Sequence, residues 1–301
     1  MPNDALPPPA PIDVVHVTDP GCPWAYSAWP ALATLQWRYG DQLAWTHVMI
    51  GLAEAASVYE GRGYTPARQA KWAIGFRRFG MPFATAPRER VSHTGLACRV
   101  VVAARLVAPE REIDVFRALQ FGQFTTTNLF DTEDGVRASL SAVDGLDPDV
   151  ILAALDDPAT EAAYQADRAI ARQAEGGATE FQGKAAQSDG PVRYTAPSLL
   201  MTHTPTAKTL EAGGFQTIEA YDVCVANLDV TLDRRSPAGS AIEALRAFPH
   251  ALSTAEVAAI MAQPLAADTS TAAAEESLVD AVAAGEATRT PLGDDALWAV
   301  A

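Results

Sequence analysis

Cysteine is scarce in this 301-residue chain and never paired. Its three thiols, Cys22, Cys98 and Cys224, have no spacing that would hold a zinc ion or build a disulfide framework, so no metal is expected. An uninterrupted apolar run of about 18 residues is missing, as is a charged-then-apolar leader, and the expected setting is the cytoplasm. Basic residues are outnumbered, with 22 Lys and Arg against 37 Asp and Glu and a net charge of −15. That balance disfavours nucleic acid and anionic membranes as partners. Apolar residues are not short: at 49% hydrophobic, the chain can bury one large core or two modest ones.

The stretch Asp19-Pro-Gly-Cys-Pro-Trp-Ala-Tyr-Ser27 is the centre of what is present. It follows a β-branched run, Ile12 to Thr18, that reads as a buried strand, and it opens a helical pattern reaching about Tyr39. Cys22 thus falls where a strand ends and a helix begins. The unpaired N–H groups and positive dipole end there favour a thiolate, which predicts a pKa below that of a free thiol. Pro23 suits the first helical turn, while Asp19 opposes ionisation by like charge. The plainer reading is one more buried, inert cysteine. Cys98 and Cys224, on apolar helical patterns, read that way.

The strand, the Asp-x-x-Cys-Pro-Trp segment from Asp19 to Trp24, the helix and a second strand at Leu43 to Ile50 carry a resemblance. They resemble the start of the DsbA-like branch of the thioredoxin superfamily, which includes the FrnE-like and 2-hydroxychromene-2-carboxylate isomerase-like proteins. Redox members have Cys-Pro-x-Cys, whereas Ala25 stands at the fourth position here. With the resolving cysteine absent, what remains is one-thiol chemistry or non-redox use of the site. The resemblance further implies a cis-proline opening the third strand, and Pro197 in Tyr194 to Met201 resembles it. Cys22 is therefore the candidate catalytic residue, with Pro23, Trp24, Ala25, Ala196 and Pro197 shaping the substrate groove.

The rest of the chain fits an α/β thioredoxin-like fold with a helical insertion and a small winged-helix-like α+β C-terminal domain. Residues 1–11 are Pro-rich and expected to be disordered; 12–50 and 191–228 form the thioredoxin-like domain; 51–190 are the insertion; 229–301 are the tail. His16 and His47 fall in strands and read as core residues before catalysts. Residues 51–86 look irregular apart from a helix near Ala67 to Phe79. Arg68, Lys71, Arg77, Arg78, Arg88 and Arg90 read as a solvated basic face or as an anion-binding rim for a carboxylate-bearing thiol. Helices are expected at about His93–Leu106, Ile113–Phe124, Thr132–Ala142, Pro148–Ala154 and Thr160–Gln173, then a polar link over 175–190. A fourth strand at Lys208 to Gly213 and a helix from Gly214 to about Leu228 complete the core.

In the tail, three helices and a hairpin turning at Gly293-Asp294 resemble a winged helix. Its third helix offers Glu275, Glu276 and Asp280 and no base-reading cation, so it reads as a packing or homodimerisation module. Three functions stay open. One is a thiol oxidoreductase working through a mixed disulfide of Cys22 with a protein or a low-molecular-weight thiol, glutathione or mycothiol, without a tightly bound cofactor. The second is a thiol-cofactor-dependent isomerase or transferase. The third is a non-catalytic ligand-binding protein that lost the redox pair.

Overall fold

In the computed structural model, which describes residues 10–263 and 271–301, the opening β-branched run forms β1 (Ile12–Thr18). Helices α1 (Pro23–Ser27) and α2 (Trp29–Tyr39) follow, and then β2 (Leu43–Met49), parallel to β1. The single helix expected as far as Tyr39 is broken at Ala28. Pro30 has no N–H to offer the carbonyl of Tyr26, and Ala28 closes a tight turn on Ala25 instead. Most of the disorder expected over residues 1–11 lies outside the described residues. Pro11 is held, its carbonyl accepting from the Thr204 amide at 2.9 Å.

Past β2 the chain forms α3 (Ala56–Glu60), a short helix with no signature in the sequence, and α4 (Pro66–Phe76), capped by the Thr65 hydroxyl and begun by Pro66. Five helices follow near the expected bounds: α5 (Gly95–Val107), α6 (Glu112–Thr125), α7 (Glu133–Leu140), α8 (Pro148–Ala153) and α9 (Pro158–Ala171). The polar link is not featureless. It holds α10 (Ala178–Phe181) and β3 (Ala185–Ala186), and β3 pairs just beyond it with β4 (Arg193–Tyr194) in a two-rung hairpin. Strands β5 (Ser198–His203) and β6 (Lys208–Ala212) then return to the main sheet and α11 (Ile218–Leu228) covers it. The strand order is β2-β1-β5-β6, with β5 antiparallel to both of its neighbours.

The tail contains α12 (Ala241–Arg246), β7 (Leu252–Ser253), α13 (Thr254–Met261), α14 (Ala272–Ala283), β8 (Ala287–Leu292) and β9 (Asp295–Val300). Its sheet runs β7-β9-β8, one short strand more than the expected three helices and hairpin. Ser253 and Glu256 form a reciprocal capping box at the start of α13. The tail's core also contains Ala33 and Trp37 of α2, whose other face sends Leu32, Leu35 and Tyr39 into the main core. One helix thus serves two cores. Beside it Arg117 of α6 grips Glu256 of α13 with two bonds of 2.7 and 2.8 Å, both side chains buried, and its guanidinium lies 4.5 Å over the Trp29 ring.

Candidate functional site

Cys22 is the N-cap of α1, in extended conformation, where the end of β1 is turned into the helix by Asp19, Pro20 and Gly21. The turn has room only for glycine at position 21. A Cβ there would stand 2.5 Å from the Thr94 methyl and 2.8 Å from the Phe130 ring. Asp19 fixes the turn from below: fully buried, it accepts from the amides of Gly21 and Leu52 at 2.8 Å each and from the Cys98 thiol at 3.4 Å. Burial pushes its carboxyl above the ordinary range against those bonds.

The Cys22 sulfur donates to the carbonyl of Ala196 at 3.2 Å, and the Ala196–Pro197 bond is cis. Residues 174 positions apart are thereby brought into hydrogen-bond contact. The thiol is only 6% exposed. That burial corrects the expected low pKa: desolvation pushes the Cys22 thiol up to about 12. Hydrogen bonds from the Ala25 and Trp24 amides and the Arg193 charge pull it down, while Asp19 adds to the rise. The stabilisation expected from the helix terminus is real in sign and too small to offset burial in a five-residue helix.

The six sequence-predicted site residues divide. Cys22, Pro23 and Trp24 line a cleft of about 500 Å³ between the thioredoxin-like core and the insertion. Ala25, Ala196 and Pro197 do not line it, and all three are buried. Of the expected groove residues, Ala196 and Pro197 thus stand outside the cleft wall, with the Ala196 carbonyl on the Cys22 sulfur. Trp24 packs near Phe76, Phe79 and Phe215, with ring centroids at 4.9, 5.4 and 5.4 Å, so aromatic residues from three segments meet two positions after Cys22.

Of the six basic residues singled out from sequence, Arg88 alone lines the cleft. Arg90 is bound to both oxygens of Asp131 at 2.6 and 2.9 Å, Arg68 caps Gly63 and lies over Trp72, and Arg77 bonds the Phe83 carbonyl. Two cleft cations were not anticipated: Arg62 in the 61–66 loop and Arg193 in the hairpin strand β4. Arg193 lies just beyond the polar link, in the segment assigned to the thioredoxin-like domain, where it pairs with Ala186 of β3. His16 and His47 are not in the cleft wall. His16 is buried among Trp29, Trp45, His47 and Phe116.

The reading of Cys98 and Cys224 as alike is also corrected. Cys98 is fully buried yet polar in its contact with Asp19, whereas Cys224 is partly buried on α11 at the edge of the main core. Among the described residues no group of three or more His, Cys, Asp or Glu side chains is placed to hold a metal ion, and no helix is long and apolar enough to cross a membrane.

No protein-family model matches the chain. Among curated proteins it is 27% identical over 165 residues to the ClpXP adapter protein SpxH of Shouchella clausii (strain KSM-K16), a stretch covering 55% of each protein. The chain thus spans about half the length of that relative. Among solved structures it is similar to an inferred protein disulfide isomerase from Nitrosomonas europaea, with a TM-score of 0.53 and 16% identity over 72% of this chain and 96% of that one. A probable DsbA oxidoreductase from Streptomyces coelicolor aligns with a TM-score of 0.52 and 17% identity over 75% and 92%. These likenesses establish a DsbA-like thioredoxin fold.

Proposed function

We propose that on this DsbA-like thioredoxin fold Cys22 works as a single thiol, exchanging with a disulfide of a low-molecular-weight thiol, glutathione or mycothiol, or of a protein, in the cytoplasm. The observation that carries the reading is the seat of the sulfur: at a helix start, 3.2 Å from the Ala196 carbonyl beside the cis Pro197, on the wall of a ligand-sized cleft. In the step, the Cys22 thiolate attacks one sulfur of the partner disulfide, the S–S bond breaks, and the other sulfur leaves as a thiolate. The disulfide is the oxidant and the thiol proton goes to solvent. Ala25 supplies no second thiol, so the mixed disulfide lasts until an outside thiol attacks it. A thiol titrating near 12 makes this exchange slow at neutral pH and faster in base.

The test is intact mass after incubation with glutathione disulfide at pH 7 to 9. One glutathione per chain, located on Cys22, forming faster as pH rises and absent from Cys22→Ser, supports exchange. No adduct throughout that range rules it out. The raised pKa favours one further reading, a binding protein whose thiol rests protonated. The adapter role in the name of the curated relative is of that kind. Under that reading Cys22→Ser changes nothing the protein does.

A further inference from the structure

The cleft beside Cys22 is electrostatically unlike the rest of the molecule. The chain carries 15 more acidic than basic residues, yet the cleft is lined by Arg62, Arg88 and Arg193 and by no Asp or Glu. Arg88 is half-buried. Its Nε donates to the Asn128 carbonyl at 3.3 Å, and among the described residues it forms no ion pair. Burial alone lowers its pKa, to about 10, which leaves it charged at neutral pH. Arg193 is buried and likewise has no carboxylate within ion-pair distance, its donors going to Ser188 and to the Tyr194 carbonyl. The charges of Asp189 and Asp19 partly offset the burial of Arg193, whereas nothing offsets that of Arg88. A guanidinium withdrawn from water in that way is costly, and the cost is relieved by an anion arriving from outside.

Two polar side chains in the cleft wall are also unsatisfied. Ser92 and Gln123 are 3% and 5% exposed, and among the described residues Ser92 Oγ and Gln123 Oε1 have no hydrogen-bond partner. Buried polar atoms of that kind ordinarily have one. Much of the remaining wall is aromatic, including Trp24, Trp72, Phe76 and Phe124. The combination of apolar faces, a few convergent polar groups and a volume of about 500 Å³ has the make-up of a small-molecule site.

We propose that this cleft binds an amphipathic organic anion, its acidic head on the terminal nitrogens of Arg88 and its aromatic or acyl body against the Trp72 and Phe76 wall. The ligand needs no sulfur, so the inference goes beyond the exchange chemistry of Cys22 and does not depend on it. Ser92 and Gln123 then take the polar atoms next to the head.

The experiment is calorimetric titration of the full chain with 2-naphthoate and with its neutral counterpart 2-naphthamide. Naphthoate is expected to bind about tenfold or more tightly than the amide, the scale of a hydrogen bond to a charged group. Arg88→Gln should erase that preference and Arg88→Lys keep part of it, with melting temperatures showing both variants folded. Equal binding of acid and amide to the unaltered protein overturns the proposal, as does no binding of naphthoate, or a preference that survives Arg88→Gln. Naphthoate binding with no glutathione adduct retires the exchange reading and leaves this one standing.

Discussion

At the scale of single residues, Cys22 is governed by a contest between solvation and local charge. Its position was legible because a strand end, Gly-Cys-Pro-Trp and a helix start are local patterns. The sign of its pKa shift was not, because burial beneath Ala196 and the insertion is a property of distant segments. A direct consequence follows for reactivity. In Cys224→Ser protein, which removes the partly buried second thiol, iodoacetamide labelling of Cys22 should keep rising through pH 9 with no plateau near the free-thiol value of about 8.5. Asp19 is a charge that raises the Cys22 pKa, so Asp19→Asn should speed labelling at pH 8 to 9. A plateau below pH 8 would mean that the helix terminus wins after all. Arg88 teaches the same lesson from the other side: six basic residues were visible in sequence, but which one faces the cleft is decided by Asp131, Phe83 and Gly63 engaging others.

At the scale of elements, the helices with full amphipathic turns and the strands of the main sheet were readable within a few residues. Those that escaped were short: α3 and α10 have five and four residues, and β3, β4 and β7 have two each. Two residues carry no period, and such strands exist because a partner strand is already in place. Helix α1 offers a test of the Cys-Pro-x-Cys geometry. Ala25 lies in its first turn and is 1% exposed, packed in the same cluster as Cys22 and Ala196. Ala25→Cys should therefore expel glutathione from a preformed adduct and close a disulfide between Cys22 and the introduced thiol, seen as loss of the adduct mass and of both free thiols. A persistent adduct would show the two sulfurs cannot meet. In α13, Ser253→Ala removes a capping bond and should cost about 1 kcal/mol in urea unfolding. Glu256→Ala strands Arg117 and should cost about 3–5 kcal/mol. Equal small effects would mean that the ion pair is replaceable.

For the whole molecule, the docking of the tail on α2 was the least legible feature. Ala33 and Trp37 look like ordinary helix residues, and nothing near Arg117 announces a partner 139 positions on. Burial of polar groups also sets the acid response. His16 and His47 are buried, and burial lowers both pKa values, that of His47 to about 4. The unfolded chain takes up their protons near pH 6.5 and the folded chain does not. Stability is thus full above about 6.5 and falls as pH drops through the window toward the folded values. For His47 the loss reaches roughly 3 kcal/mol by pH 4. Glu256, held below the ordinary carboxylate range with Arg117 opposing its burial, loses its contribution lower still, as pH falls through its depressed folded value. The melting temperature should therefore drop steadily below pH 6.5. Because neither ring nitrogen of His16 has a hydrogen-bond partner among the described residues, His16→Leu should flatten that slope without lowering stability at pH 7.5. A pH-independent melting temperature would refute this. The Arg117 pair, finally, has a schedule. At about 5–20 residues per second a ribosome needs roughly 7–28 s to travel from residue 117 to residue 256. Throughout that interval the face of α6 beside Trp29 carries an uncompensated cation, and it has to stay wet until the last quarter of the chain emerges to seal it.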